Sequence, residues 1–128
     1  MAAKILVIED DKDILDVLEY VLEDAGYDVI TAANGSVLVN INAIKPDVIL
    51  IDEWLGAEKG SQHCKFLKST TAMRHIPVVM MSAAMDIEHI ADECGADAYI
   101  KKPFDIDHVT FITGSLLGNT VSNSCLPV

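Results

Sequence analysis

The sequence predicts an α/β fold, a doubly wound five-stranded parallel sheet with helices on both faces. Short runs rich in β-branched residues alternate five times with stretches whose apolar residues recur at helical spacing. The strand-like runs are apolar almost throughout, which is typical of parallel strands buried on both faces. A chain of 128 residues, 51% of them apolar, suits one such domain and is too short for two ordinary ones.

Five segments have the length and composition of buried strands. Each is bounded by glycine, proline or charged residues, which are common where strands give way to turns. A parallel arrangement follows because a helical segment separates each strand from the next. The predicted strands are Lys4–Ile8, Tyr27–Ala33, Asp47–Asp52, Ile76–Met81 and Ala98–Ile100.

Five helices are predicted between and after these strands. Gly26 and Gly95 are expected to end the first and fourth helices, since glycine adopts the left-handed conformation common just past a helix. Ser36 is expected to cap the second helix, which the Lys45-Pro46 pair ends. The helices begin near Ile14, Ser36, Gly60, Ile87 and Phe104. We expect residues 1–118 to form the domain and residues 119–128 to be a flexible tail.

The charge balance excludes several function classes. Twenty acidic against nine basic residues give a formal charge of −11, which repels nucleic acid and anionic membranes. Direct binding to either is therefore not expected. Cys64, Cys94 and Cys125 are odd in number and widely spaced, which suits a reducing compartment better than a disulfide framework. With no signal-like or membrane-length apolar run, we expect a cytoplasmic protein.

Polar side chains follow four of the predicted strands, where each strand ends. They are the acidic residues from Glu9 to Asp11, then Asp52, Ser82 and Lys102. In an open parallel sheet the carboxyl ends of the strands lie at one edge, where functional groups gather. The sequence therefore predicts that one site holds all of them.

The acidic part of this site predicts a divalent cation. Glu9, Asp10 and Asp52 would repel one another, and a metal ion offsets that repulsion. A few hard oxygen ligands favour Mg²⁺, which would let the Asp52 carboxylate act as a nucleophile toward a phosphoryl group. The structural alternative is that Asp10 and Asp11 only cap a helix and Asp52 only ends a strand.

Ser82 and Lys102 would complete the binding of a phosphoryl group. Such a group on Asp52 offers three equatorial oxygens, so a hydroxyl, an ammonium and a metal ion can each bind one. A serine after a strand is otherwise an ordinary turn residue, and neighbouring Lys101 is expected to be a solvated surface charge. Whether the peptide bond between Lys102 and Pro103 is cis is left open by the sequence.

Four segments together resemble the receiver domain of two-component response regulators. They occur in the family's order, and Gly60 follows the second segment, eight residues after Asp52. The resemblance covers about residues 4–117. The matching segments are Ile5–Asp11, Pro46–Asp52, Pro77–Ala83 and Gly95–Phe104. The resemblance implies a flavodoxin-like fold with strand order 2-1-3-4-5, in agreement with the fold predicted from the pattern.

The resemblance also implies roles for the acidic residues. Asp52 would accept a phosphoryl group from a histidine kinase or a histidine phosphotransfer protein. Mg²⁺ would be bound by Asp10 and Asp52 directly, by Glu9 through water, and by the backbone carbonyl of Trp54. No other cofactor is implied. The domain would catalyse only its own phosphorylation and dephosphorylation, so we do not expect an enzyme acting on a separate substrate.

The remaining implied roles concern signal output. Ser82 and Lys102 would contact the phosphoryl group, with Ser82 and Tyr99 acting as the switch residues. The switch would change partner binding on the face formed by the fourth helix, fifth strand and fifth helix. Expected partners are a downstream protein target and, in one form of output, a second copy in a phosphorylation-dependent dimer. The chain would be a stand-alone receiver or an excised piece of a longer protein.

Two residues depart from the pattern common in receivers. Trp54 stands where a methionine is common, and Gly56 stands where a proline is common. The Trp54 ring could shield a phosphoaspartate from water, contact a partner, or simply pack against the loop. Gly56 lacks the rigidity of proline, so a more mobile loop is expected.

Three other functions fit the sequence less well than a receiver does. A flavin carrier of the same architecture would need a glycine- and hydroxyl-rich phosphate loop where Glu9 begins an acidic cluster. An aspartate-based phosphohydrolase usually has a second acid two residues after the nucleophile, where Trp54 stands. A degenerate receiver that only binds partners would have lost site residues, and this chain retains them.

Overall fold

The computed structural model describes residues 2–118, so the predicted tail at 119–128 lies outside the described residues. Its main sheet has five parallel strands in the order 2-1-3-4-5. The prediction of a doubly wound, flavodoxin-like parallel sheet is confirmed. The strands are β1 (Lys4–Ile8), β2 (Asp28–Ala32), β3 (Val48–Asp52), β4 (Val78–Ser82) and β5 (Ala98–Lys101).

The helices follow the predicted order, with corrected starts. Asn34, not Ser36, caps the second helical segment, because its side chain accepts the Ser36 N–H. The fifth helix begins after Asp105, whose side chain accepts the Asp107 N–H, rather than at Phe104. The helices are α1 (Lys12–Asp24), α2 (Ile41–Ile44, after a 3-10 turn at Gly35–Asn40), α3 (Gly60–Ser69), α4 (Ile87–Cys94) and α5 (Ile106–Leu116). Among residues 2–118, no helix is long and apolar enough to cross a membrane.

The sheet separates two apolar cores. On β1, Leu6 and Ile8 belong to the core covered by α2, α3 and α4, while Ile5 and Val7 belong to the core covered by α1 and α5. This alternation is the two-residue period of a strand. Burying each large aliphatic side chain contributes about 1.5–3 kcal/mol, so both layers hold the sheet in place. The carboxyl edge of the sheet is therefore held in place by packing on both faces.

A short hairpin follows β3 at this edge. Trp54–Leu55 pairs antiparallel with Glu58–Lys59, and Leu55 is buried in the core. Gly56 in the two-residue turn has φ +68, whereas proline is locked near −65. Proline could not form this turn, which gives a physical reason for the departure at position 56. The residues on either side of this turn are joined by antiparallel backbone pairing.

Gly60 brings α3 against the end of β3. Its N–H donates to the Glu53 carbonyl at 2.9 Å, and a Cβ atom at this position would overlap the Asp52 carbonyl oxygen. The obstructing atom is backbone, so it cannot rotate away as a side chain would. Glycine is thus required for the close approach of α3 to Asp52.

We expect Gly60→Ala to lower the free energy of unfolding by about 3 kcal/mol, because the added methyl group must displace backbone at the site. Gly26→Ala is the control: it has φ +98 but open space around its Cβ, so strain alone should cost about 1 kcal/mol. Urea unfolding measures both. Equal losses for the two variants would contradict the close-approach argument.

Candidate functional site

The structure brings the predicted polar residues together at the carboxyl edge of the sheet. Glu9 follows β1, Asp52 and Ser82 end β3 and β4, and Lys102 follows β5. The Lys102 Nζ lies 2.5 Å from Glu9 Oε1 and 2.7 Å from Asp52 Oδ1. The Lys102 N–H donates to the Ser82 carbonyl at 2.9 Å, which ties the lysine backbone to the end of β4. One ammonium thus bridges two carboxylates.

The acidic cluster has the chemistry of a Mg²⁺ site. Carboxylate oxygens of Glu9, Asp10 and Asp52 all lie within 4.8 Å of one another. Glu9 and Asp52 are buried, whereas Asp10 is exposed, so the cluster has an open side. Mg²⁺ prefers hard oxygen donors and usually keeps several waters in its coordination sphere. The residues present therefore fit the ion that the sequence predicts.

Burial dominates the ionisation of these groups. It raises the pKa of Glu9 and of Asp52, and the hydrogen bonds from Lys102 offset only part of that rise. For Lys102 itself, burial lowers the pKa, but the bonds to Asp52 and Glu9 outweigh it, so its pKa is raised. Lys102 is therefore a firmly protonated cation between two carboxylates whose charges are costly.

The acidic residues after β1 have separate structural tasks. Asp11 caps α1, since its Oδ1 accepts the N–H groups of Asp13 at 3.0 Å and Ile14 at 3.3 Å. The alternative in which Asp10 and Asp11 only cap a helix therefore describes Asp11, while Asp10 shares the carboxylate cluster. Glu9 Oε2 accepts the Asp11 N–H at 3.2 Å, which orients the buried carboxylate.

The two oxygens of Asp52 have different partners. Oδ1 contacts the Lys102 ammonium, and Oδ2 accepts the Trp54 N–H at 3.0 Å. These two contacts, together with burial, leave the carboxylate few orientations. An oriented carboxylate beside a cation-binding cluster is suited to nucleophilic attack.

Ser82 and Tyr99 occupy different environments. Ser82 is buried, and its Oγ accepts the Ala84 N–H at 3.0 Å, a bond that uses a lone pair and not the hydroxyl proton. Tyr99 on β5 is 37% exposed and lines an open groove of about 960 Å³ between α4 and α5, with Met85 and His108. Of the two predicted switch residues, Ser82 thus lies at the site and Tyr99 lies at the surface.

Trp54 is 55% exposed at the rim of the site. The Lys59 ammonium lies 5.2 Å from the centroid of its ring, a cation–π contact across the hairpin. The Lys59 contact agrees with packing against the loop, and the exposed ring is also compatible with shielding and with partner contact. The Lys102-Pro103 peptide bond, which the sequence left open, is cis.

Glu53 is a site residue that the sequence reasoning missed. It is buried beside Asp52, and its carboxylate accepts the Ser61 N–H at 2.7 Å and the Ser61 hydroxyl at 3.0 Å. It thereby caps the start of α3, where Lys59 makes no side-chain capping bond. The cap comes from eight positions away, so no local helix-start pattern reveals it.

Comparison with known proteins identifies the class. A family model described as the response regulator receiver domain matches residues 5–112. The chain is 41% identical over 108 residues to the alkaline phosphatase synthesis transcriptional regulatory protein PhoP of Bacillus subtilis. It is 41% identical over 107 residues to the phosphate regulon transcriptional regulatory protein PhoB of Escherichia coli. Both matches cover 81% of this chain, which spans only 44% and 47% of those relatives.

Solved structures show the same architecture. CheY4, the chemotaxis response regulator of Vibrio cholerae, superposes with a TM-score of 0.83 at 25% identity, covering 91% of this chain and all of that one. The receiver domain of a Syntrophus aciditrophicus histidine kinase has a TM-score of 0.83 at 30% identity, covering 92% of both chains. The chain belongs to the receiver domain family of two-component response regulators. Receivers act as phosphoacceptors, generally bind Mg²⁺ at an acidic pocket, and interact with histidine kinases and downstream effectors.

We expect Asp52→Asn to stabilise the Mg²⁺-free protein by about 1 kcal/mol at neutral pH, because it removes a costly buried charge. The sign follows from the raised pKa of Asp52, which means that the folded state binds the carboxyl proton more tightly than the unfolded state does. The protonated carboxyl therefore favours the folded state at low pH, and this contribution to stability is lost as the pH rises through the folded pKa. Below about pH 4, the ordinary aspartate range, the difference should vanish. Urea unfolding at several pH values measures it.

Millimolar Mg²⁺ supplies the matched comparison. Wild type should gain stability by mass action, whereas the variant, with one carboxylate fewer, should gain less. A variant less stable than wild type in Mg²⁺-free buffer at neutral pH would contradict the conclusion that the buried charge of Asp52 destabilises the fold.

Proposed function

We propose that this chain accepts a phosphoryl group on Asp52 from a histidine kinase or histidine phosphotransfer protein. The single observation that carries the proposal is the Lys102 bridge between Glu9 and Asp52, within an acidic cluster at the sheet edge. An ion pair with a purely structural role would need only one carboxylate beside Lys102. Two buried carboxylates and the exposed Asp10 around one cation form a site prepared for a further charged group.

The chemistry is a transfer between two side chains. An oxygen of Asp52 attacks phosphorus, the new O–P bond forms as the P–N bond to the donor imidazole breaks, and the nitrogen retains the electron pair. Mg²⁺, held by Asp10 and Asp52, by Glu9 through water and by the Trp54 carbonyl, would neutralise charge on the transferring group. Lys102 and Ser82 would each bind one phosphoryl oxygen.

Lys102 is the residue whose contacts must change. In the unphosphorylated chain its ammonium is satisfied by Glu9 and Asp52. Phosphorylation converts the Asp52 carboxylate into an acyl phosphate and introduces phosphoryl oxygens that compete for Lys102. Because the lysine then makes different bonds in the two states, it can shift a conformational equilibrium.

The output would be a change of the face formed by α4, β5 and α5. Lys102 directly follows β5, and Ser82 ends the neighbouring β4, so their rearrangement acts on the strand that carries Tyr99. Tyr99 is partly exposed beside the α4–α5 groove, where a rotamer change would alter the surface. A downstream protein, or a second phosphorylated copy, would read that change.

The chain would signal without acting on a separate substrate, catalysing only its own phosphorylation and dephosphorylation. With a formal charge of −11, it is poorly suited to bind nucleic acid directly. PhoP and PhoB are named as transcriptional regulators, and the chain spans about half of each. A receiver working alone and a receiver within a longer regulator are both compatible with this proposal.

We expect Asp52→Asn to abolish labelling by a small phosphodonor such as phosphoramidate in Mg²⁺, because an amide is not an effective nucleophile. Intact-mass measurement detects the added phosphoryl group on wild type. Asp92→Asn, an exposed residue on α4, is the matched control and should label like wild type. Excess chelator should suppress wild-type labelling. Full labelling of Asp52→Asn would overturn the assignment.

We expect Lys102→Ala to be phosphorylated yet to transmit little change to the output face, because the residue with different bonds in the two states is gone. Amide NMR shifts of α4, β5 and α5 with and without phosphodonor measure the change. Lys101→Ala, next to it and exposed, should keep the full response. A wild-type response in the Lys102 variant would show that this lysine is not part of the switch.

A further inference from the structure

Glu58 anchors the hairpin after β3 to the other side of the site. Its Oε1 accepts the Gly35 N–H at 2.8 Å and lies 3.0 Å from His63 Nε2. Gly35 begins the 3-10 turn after β2, and His63 lies in the first turns of α3. Two hydrogen bonds lower the pKa of Glu58, and the bond from Gly35 has a larger effect than the bond from His63. The Glu58 carboxylate is therefore ionised at neutral pH. Three chain segments thus meet at one oxygen.

The junction is closely packed. A Cβ atom at Gly35 would overlap the His63 ring, so only glycine allows the ring to reach Glu58. Gly35 is buried, and the Glu58 side chain is 39% exposed. These features fix the acceptor oxygen relative to the Gly35 backbone and the His63 ring. They make the Glu58 contact a specific anchor rather than a loose surface ion pair.

The anchored hairpin makes direct contact with the phosphoacceptor. Glu58 pairs with Leu55, and Lys59 pairs with Trp54, in the short antiparallel ladder. The first residue of this ladder, Trp54, donates its N–H to Asp52 Oδ2. Displacing the Glu58 end of the hairpin would therefore move the donor that orients Asp52.

We infer that Glu58 is a positioning residue for the phosphorylation site, acting through the hairpin on Asp52 and on the Trp54 carbonyl. The inference rests on the proposed function, since the site that it positions is the Mg²⁺ and phosphoryl site. Nothing in the resemblance to receivers assigned a role to Glu58, Gly35 or His63. The geometry gives them one.

The test compares three variants of the protein. Glu58→Ala removes the acceptor oxygen, Glu58→Gln retains an oxygen that can accept the Gly35 N–H, and Glu23→Ala removes an exposed carboxylate from α1, on the opposite face of the sheet. Calorimetric titration with Mg²⁺ alone gives the dissociation constant. We expect Glu58→Ala to raise it roughly three- to tenfold, the factor that corresponds to one lost hydrogen bond. Glu58→Gln and Glu23→Ala should stay within about twofold of wild type.

Two further measurements keep the result interpretable. Circular dichroism confirms that each variant is folded at the titration temperature; if Glu58→Ala is not, His63→Ala takes its place, with an expected weakening of about threefold. The rate of labelling by phosphoramidate should fall in the same order as Mg²⁺ affinity. A folded Glu58→Ala protein with wild-type Mg²⁺ affinity and labelling rate would overturn the inference. Absence of labelling in wild type would instead refute the proposed function.

Discussion

The site depends on one cation held between two buried carboxylates. Lys102 contacts Glu9, 93 positions earlier in the sequence, and Asp52, so the end of β5 is joined electrostatically to the ends of β1 and β3. Removing the lysine would leave both buried carboxylates without a counter-charge, which is far more damaging than the net strength of either ion pair suggests. The single positive charge of the lysine lies between two negative ones, so together with the exposed Asp10 the cluster keeps a net negative charge that a metal ion can offset.

Separate segments of the chain must pack closely against one another around this cation. Gly60 admits α3 against the Asp52 carbonyl, Gly56 permits the two-residue turn of the hairpin, and Gly35 admits the His63 ring. Each glycine meets a separate steric or conformational requirement. Together they place the hairpin where the Trp54 N–H can bind Asp52. The orientation of the phosphoacceptor is thus set by chain geometry as well as by charge.

The sequence predicted the sheet and the convergence of its polar residues for a simple reason. In a parallel sheet, residues that directly follow strands share one edge, so Asp52, Ser82 and Lys102 could be grouped from strand positions alone. The hairpin was missed because its strands have two residues each, too short for any period to show. The cap from Glu53 to Ser61 and the anchor at Glu58 were missed because their partners are distant in sequence and are brought together only by the fold.

The most direct test of this account is a crystal structure of the protein with Mg²⁺ and beryllofluoride, a phosphoryl mimic that binds aspartate. The account predicts Mg²⁺ at Asp10 and Asp52, beryllofluoride on Asp52, and Lys102 Nζ moved from Glu9 to a fluoride of the mimic. Lys102 remaining bonded to Glu9 as in the free protein, with beryllofluoride bound, would contradict the claim that this lysine detects the phosphoryl group.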